Sequence, residues 1–231
     1  MSVRAIISSK PNFFLLTALA LAPLPSVAAV LVQSDFSSTT EGWLLAGDST
    51  TAQPTFVATG GNPGGMANGT DAVTGGTWYW QAPSKFLGNE SAAYGYNLSY
   101  DERMRGSGPL FSDHDILLTG SSVTLYYDFI GTSSLVPKDQ IWTTYNIPLT
   151  ESGWKNLSNN QAATQSQFAS VLSSLTQLRI RGEFITGPDN GDLDNVVLNG
   201  AVPFQVPEPG SLALLALGWL GMMASRRSRT G

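Results

Sequence analysis

A succession of short aromatic and β-branched runs, each closed by Gly, Pro, Asn or Ser, limits what this chain can fold into. Trp78-Tyr79-Trp80-Gln81, Asn97–Tyr100, Ile116–Leu118 and Val123–Phe129 are of this kind, and Trp142–Leu149, Leu178–Phe184 and Leu193–Leu198 continue the series. Runs of this make-up between turn-forming residues favour strands over helices. In Val123–Phe129, two-residue alternation puts Val123, Leu125, Tyr127 and Phe129 on one face. One helix is expected, because Thr164 leads into Phe168, Val171, Leu172 and Leu175, which share one helical face. Gly60–Gly65, with Asn62 and Pro63 inside it, reads as a loop. Many short strands, Gly-rich connections and a single helix predict an antiparallel β-sandwich.

Hydrophobic segments bracket that sandwich. Residues 1–29 read as a secretory signal peptide: Arg4 and Lys10 supply positive charge, and Phe13–Ala22 is an apolar core too short for a stable span. Pro23 and Pro25 precede the small residues Ser26, Val27 and Ala28, and cleavage is expected after Ala28 or Ala29. In the tail, residues 201–231, Pro207-Glu208-Pro209 is followed by an apolar run, Gly210–Ser225, and then by Arg226, Arg227 and Arg229. As a helix the run reaches roughly 24 Å, slightly less than a hydrocarbon core near 30 Å. The arginines act as a membrane stop that leaves the C-terminus in the cytoplasm and the domain outside. Pro203, Pro207 and Pro209 favour extended backbone, so Glu208 lies on a strip that a protease can bind. The tail reads as a temporary anchor; the competing reading is a permanent single span on a Pro-rich stalk.

Residues 30–200 form one domain, long enough to bury a real core. Of the 12 Lys and Arg, five lie in the targeting ends, and of the 17 acidic residues only Glu208 lies in the tail. The domain therefore holds seven basic against 16 acidic residues, a formal charge of −9, without a basic footprint for nucleic acid. The chain has no cysteine. Disulfides, thiolate metal sites and cysteine catalysis are thereby excluded.

The tail is similar to the PEP-CTERM sorting signal. That resemblance implies export by the Sec machinery, transient membrane insertion, cleavage by an exosortase and delivery to the cell surface or extracellular matrix. The domain resembles the laminin B (laminin IV type A) family. The residues that carry this are Trp78–Asn89 (Trp-Tyr-Trp-Gln-Ala-Pro-Ser-Lys-Phe-Leu-Gly-Asn), Tyr94-Gly-Tyr-Asn-Leu-Ser-Tyr100 and Asp115-Ile-Leu-Leu-Thr-Gly120. Val123-Thr-Leu125, Leu149-Thr-Glu-Ser-Gly-Trp154, Ile180-Arg181 and Leu193-Asp-Asn-Val-Val-Leu198 follow in family order. Tyr96 stands where the family has a second Gly, and the family's extracellular cysteines are absent. The resemblance implies a galactose-binding-like jelly-roll β-sandwich with one short helix, flanked here by a signal peptide and a C-terminal hydrophobic helix. It also implies a structural calcium ion shared by the first and last strands.

Two kinds of site are expected. For calcium, Asp192 and Asp194 alternate beside Gly191, and Asp35 and Asp48 can approach from the first strand and its loop. An ordinary Asp-rich turn is the competing reading. For a glycan, Trp78, Trp80, Tyr94, Tyr96, Trp142 and Tyr145 are the candidates, since sugar C–H faces stack on aromatic rings. Core packing is the competing use of every one of them. Ser112-Asp113-His114-Asp115 contains the only histidine, but a working triad is assembled in space and not by adjacency. The expected function is non-enzymatic: adhesion, or binding of glycan or exopolysaccharide in a biofilm matrix. The alternatives are a polysaccharide hydrolase of the same layer and a purely structural coat protein.

Overall fold

The computed structural model describes residues 26–49, 52–71, 75–129 and 136–203. The expected signal core, Pro207, Glu208, Pro209, the apolar run after them, and Arg226, Arg227 and Arg229 lie outside the described residues. Among the described residues, twelve strands and one α-helix are formed: β1 Ser26–Ser34, β2 Leu44–Gly47, β3 Thr55–Gly61, β4 Gly64–Asp71, β5 Trp78–Gln81 and β6 Asn97–Arg105. These are followed by β7 Ile116–Gly120, β8 Val123–Tyr127, β9 Thr143–Pro148, β10 Trp154–Asn156, α1 Gln165–Ser173, β11 Leu175–Arg181 and β12 Asp189–Pro203.

The strands make two facing antiparallel sheets. The first has the order β3-β4-β12-β6-β9, with β1 paired to the C-terminal part of β12; the second has the order β10-β8-β7-β11-β5-β2. The β-sandwich with one helix is thus the observed architecture. Its core is aromatic: Phe36, Trp43, Trp78, Trp80, Phe86, Tyr100, Trp154, Phe168 and Phe184 are all buried between the sheets or under the helix. Leu125 is fully buried, and Val123, Tyr127 and Phe129 pack on the same cluster, as their alternation requires. Helix α1 is capped by Thr164, whose hydroxyl accepts from the Gln167 amide at 3.2 Å while Gln167 Oε1 accepts from the Thr164 amide at 3.0 Å. Phe168, Val171 and Leu172 form its buried face, whereas Leu175 already begins β11.

Two boundaries differ from the expectation. Gly60–Gly65 is not a loop but most of a hairpin: β3 runs to Gly61, β4 starts at Gly64, and these two glycines pair. Closeness explains the composition. A Cβ on Gly61 would stand 2.0 Å from the Gly65 carbonyl oxygen and 2.7 Å from Asp194 Oδ2, so any side chain would force the turn of the hairpin apart and push against Asp194. Secondly, β1 takes in the last residues of the expected signal segment, pairing Ser26, Val27, Ala28 and Ala29 with Pro203, Val202, Ala201 and Gly200.

Candidate functional site

The aromatic candidates separate by the solvent they face. Trp78 and Trp80 share one strand face, as expected, but that face is the core: both are 0% exposed, their rings 5.0 Å apart edge to face. Tyr145 is 4% exposed and packs on Tyr100 and Phe129. These three rings present no face to a ligand, because each is enclosed by other side chains. Burial of the two indoles leaves no N–H unpaired. Trp78 Nε1 donates to Asp189 at 3.1 Å, and Trp80 Nε1 donates to Glu102 at 3.1 Å. Tyr94 and Tyr96 are half-buried at the start of β6, where the Tyr94 hydroxyl donates to Glu151 at 2.7 Å. Trp142 is half-buried beside the other end of β6. Seven residues of strand separate Tyr96 from Arg103, the partner of Trp142, which is about 23 Å. The tyrosines and Trp142 therefore do not share a site.

Around Trp142 the outer face of the first sheet carries a connected polar surface. Leu193 and Val196 of β12 point into the core, so Asp192 and Asp194 point out. Between them and Val197 the register slips, with Asn195 at φ 49°, and the bulge brings the Asn195 side chain onto the same face. Asp101 accepts there from three groups: Asn195 Nδ2 at 2.8 Å, Asn62 Nδ2 at 3.1 Å and Thr144 Oγ1 at 2.5 Å. Asp194 accepts from the backbone amides of Asn62 at 2.6 Å and Asn195 at 2.7 Å. Burial raises its carboxyl to about 6, with the charges of Asp101 and Asp35 adding to the shift. Asp192, fully buried, is bracketed by Arg103 Nε at 2.8 Å, Arg105 Nε at 2.6 Å and Asn68 Nδ2 at 2.7 Å. It fixes both guanidinium groups. That of Arg103 lies 4.5 Å from the centroid of Trp142, whose indole N–H donates to the Gly60 carbonyl at 3.1 Å. The glycine hairpin therefore holds two sides of this surface, through Gly60 and through Asn62.

Of the four carboxylates named for calcium, Asp35 and Asp194 lie near enough for the charge of one to act on the other, while Asp192 and Asp48 have other partners. Asp192 is committed to Arg103 and Arg105, and Asp194 to backbone amides. Asp35, on the surface, accepts from the Ser37 amide at 3.0 Å, which lowers its pKa. Asp48 lies at the end of β2, where burial and the neighbouring Asp71 raise its pKa. Among the described residues no group of three or more His, Cys, Asp or Glu is arranged to hold a metal ion. Asp48 belongs instead to an acidic neighbourhood around Trp78, with Asp71, Glu183 and Asp189. Glu183 accepts from the Trp78 amide at 3.1 Å, and burial pushes it up to about 7, with Asp189, Asp48 and Asp71 adding to the shift. Asp189 is raised by burial to about 6.

The Ser112–Asp115 stretch forms no triad. His114 Nδ1 lies 3.0 Å from Asp128 and its ring stacks on Tyr126 at 3.9 Å. Asp115 is held inside by Arg181 at 3.3 Å and by the Phe129 amide at 2.8 Å.

Compared with known proteins, residues 79–213 match the Laminin B (Domain IV) family, and residues 205–228 match the PEP-CTERM protein-sorting motif. Laminin subunit gamma-2 of Equus caballus is 36% identical over 128 residues, 54% of this chain and 10% of the laminin subunit. The basement membrane-specific heparan sulfate proteoglycan core protein of Mus musculus is 32% identical over 142 residues, 60% of this chain and 4% of that protein. The chain thus spans a small part of the curated relatives it matches. The L4b domain of human laminin alpha-2 has the same fold, with a TM-score of 0.58 at 14% identity, covering 75% of this chain and 98% of the domain.

Proposed function

The chain belongs to the Laminin B (Domain IV) family and carries a PEP-CTERM protein-sorting motif, which makes it an exported protein of the cell surface or extracellular space; we propose that it binds a neutral glycan there. The observation that carries the glycan reading is the outer face of the first sheet. A half-buried indole, backed by a fixed guanidinium, adjoins the amide groups of Asn62 and Asn195, which the buried Asp101 carboxylate holds in place. An indole offers an apolar plane to sugar C–H groups, while amides and carboxylates bond to hydroxyls. Charge selects among glycans. Asp192 offsets one of the two arginines, and Asp101 and Asp194 add further negative charge, so this face repels polyanions. The domain charge of −9 acts in the same direction.

Adhesion within an exopolysaccharide matrix follows as the role of such a protein, with exosortase processing of a transiently membrane-inserted tail as its route. Binding without turnover is the reading. A glycan array and calorimetry on the exported protein test it. Trp142→Ala is expected to weaken binding to a neutral glycan tenfold or more, about 1.4 kcal/mol. An array without hits, binding indifferent to Trp142→Ala, or hydrolysis of the bound glycan each overturns it.

A further inference from the structure

The outer face of the second sheet lies on the far side of the sandwich from Trp142. Tyr79, Leu117 and Tyr126, each next in sequence to core residues, turn outward there and pack as a small cluster of their own. Strand register puts six outward residues in one row across all six strands: Lys155, Tyr126, Leu117, Arg179, Gln81 and Leu44. Five strand spacings make that row about 24 Å long. Lys155 and Leu44, on the edge strands, are exposed, whereas the four residues between them are buried or half-buried. The row therefore lies in a shallow trough.

Charge along this row departs from that of the domain. Its ionised groups are Lys155 and Arg179, both cations, three strand spacings or about 14 Å apart. Asp113, Asp115 and Asp128, at the start of β7 and the end of β8, are taken up by Thr77, Arg181 and His114. Arg179 is half-buried, burial lowers its pKa, and no described carboxylate opposes that shift. Its Nε and Nη2 donate to Gln81 Oε1 at 3.3 and 3.2 Å, and Gln177 Nε2 donates to the same oxygen at 3.3 Å. One amide oxygen thus serves three donors. Among the described residues, the rest of the guanidinium fork and the Gln81 amide nitrogen have no acceptor. A half-buried cation without an acid is costly, and this domain has 16 acids to seven bases from which to supply one.

From this arrangement we infer a second binding site, for a saccharide that bears a carboxylate, seated across β11 and β5 with its acid group on Arg179. A guanidinium meets a carboxylate in two parallel bonds, which a neutral sugar cannot offer. The amides of Gln81 and Gln177 and the hydroxyl of Thr119, in register with Gln177, suit the sugar hydroxyls. The trough presents side chains and not a strand edge, so it gives a peptide no main-chain pairing. The net charge of the domain does not forbid the site, because at physiological salt charges are screened beyond about 8 Å and the guanidinium decides locally. The two binding faces point away from each other, so one molecule can hold a neutral and an acidic chain at once.

Calorimetry on the exported protein tests this, with oligogalacturonate and its methyl ester as paired probes that share a backbone and differ in charge. The acid form is expected to bind about tenfold or more tighter than the ester, as a charge-assisted hydrogen bond allows. Arg179→Met keeps the aliphatic stem on the sheet and is expected to bring the acid form down to the affinity of the ester. Arg179→Lys, a charge without the fork, should fall between. Trp142→Ala is expected to leave binding of the acid form unchanged, so failure of the neutral-glycan reading leaves this one standing. No binding of the acid form, equal binding of acid and ester, or a preference that survives Arg179→Met overturns the inference. So does loss of the acid form in Trp142→Ala, or polyglutamate bound as tightly as the oligogalacturonate.

Discussion

Trp80 and Trp142 put one side-chain type to opposite uses, and substitution should separate them. Trp80 is fully buried with its N–H on Glu102, so Trp80→Ala is expected to cost about 3–5 kcal/mol in urea unfolding. Trp142→Ala is expected to cost about 1–2 kcal/mol, less than Trp80→Ala, while losing ligand, because its half-buried ring gives up only the Arg103 contact and the N–H bond to Gly60. Sequence placed Trp78 and Trp80 on one face correctly but could not say which face was wet. The legible sign was a set of acids available for their N–H groups, yet Glu102 and Asp189 lie 22 and 111 residues from the indoles they accept from. The acids around Trp78 set a pH dependence. Glu183 and Asp189, at about 7 and about 6, lie above their ordinary values, so folding disfavours their ionised forms. The penalty is absent below their ordinary values, grows as pH rises from those towards the folded ones, and is constant above them. Tm should therefore fall between about pH 4 and pH 7 and level off above that, and Glu183→Gln, which keeps the acceptor for the Trp78 amide, should flatten the fall. A Tm that climbs over that window contradicts the assignment.

At the scale of elements, glycine decides where strands can pass. The indole of Trp78 is walled by three of them: added Cβ atoms would stand 2.7 Å from it at Gly69, 2.0 Å at Gly182 and 2.9 Å at Gly191. Gly182→Ala leaves the backbone unstrained but drives a methyl group into that ring. It is expected to destabilise by about 1–3 kcal/mol, measured as a shift of the urea midpoint at constant slope. Such glycines also hid β3 and β4 from a sequence reading. Alternation of apolar and polar residues is the usual mark of a strand, and a strand that lies against another backbone has traded its side chains for proximity. Helix α1 was legible for the opposite reason. Its cap and its buried face are encoded within ten residues, from Thr164 to Ser173, whereas its end was not, since Leu175 begins β11.

For the whole molecule, the family match begins at Tyr79, yet the fold begins well before it. Strands β1, β2 and β4 supply partners to β12 and β5, and Phe36, Trp43, Leu45 and Ala67 belong to the one core. A fragment of residues 79–203 is therefore expected to show no cooperative thermal transition, whereas residues 26–203 should show one; a sharp transition in the shorter fragment would mean that its core is self-sufficient. What the sequence determined by itself is the part that depends on order along the chain: alternation that makes strands, a capped helical face, family motifs in register and the sorting motif. Only the tertiary structure decided which face of each strand is wet, that Trp142 meets Arg103, which Asp192 holds, and that Ala28 lies across from Ala201. The physical reason is that exposure and pairing are properties of two segments at once. Each half of such a pair carries no mark of its partner until the sheets close.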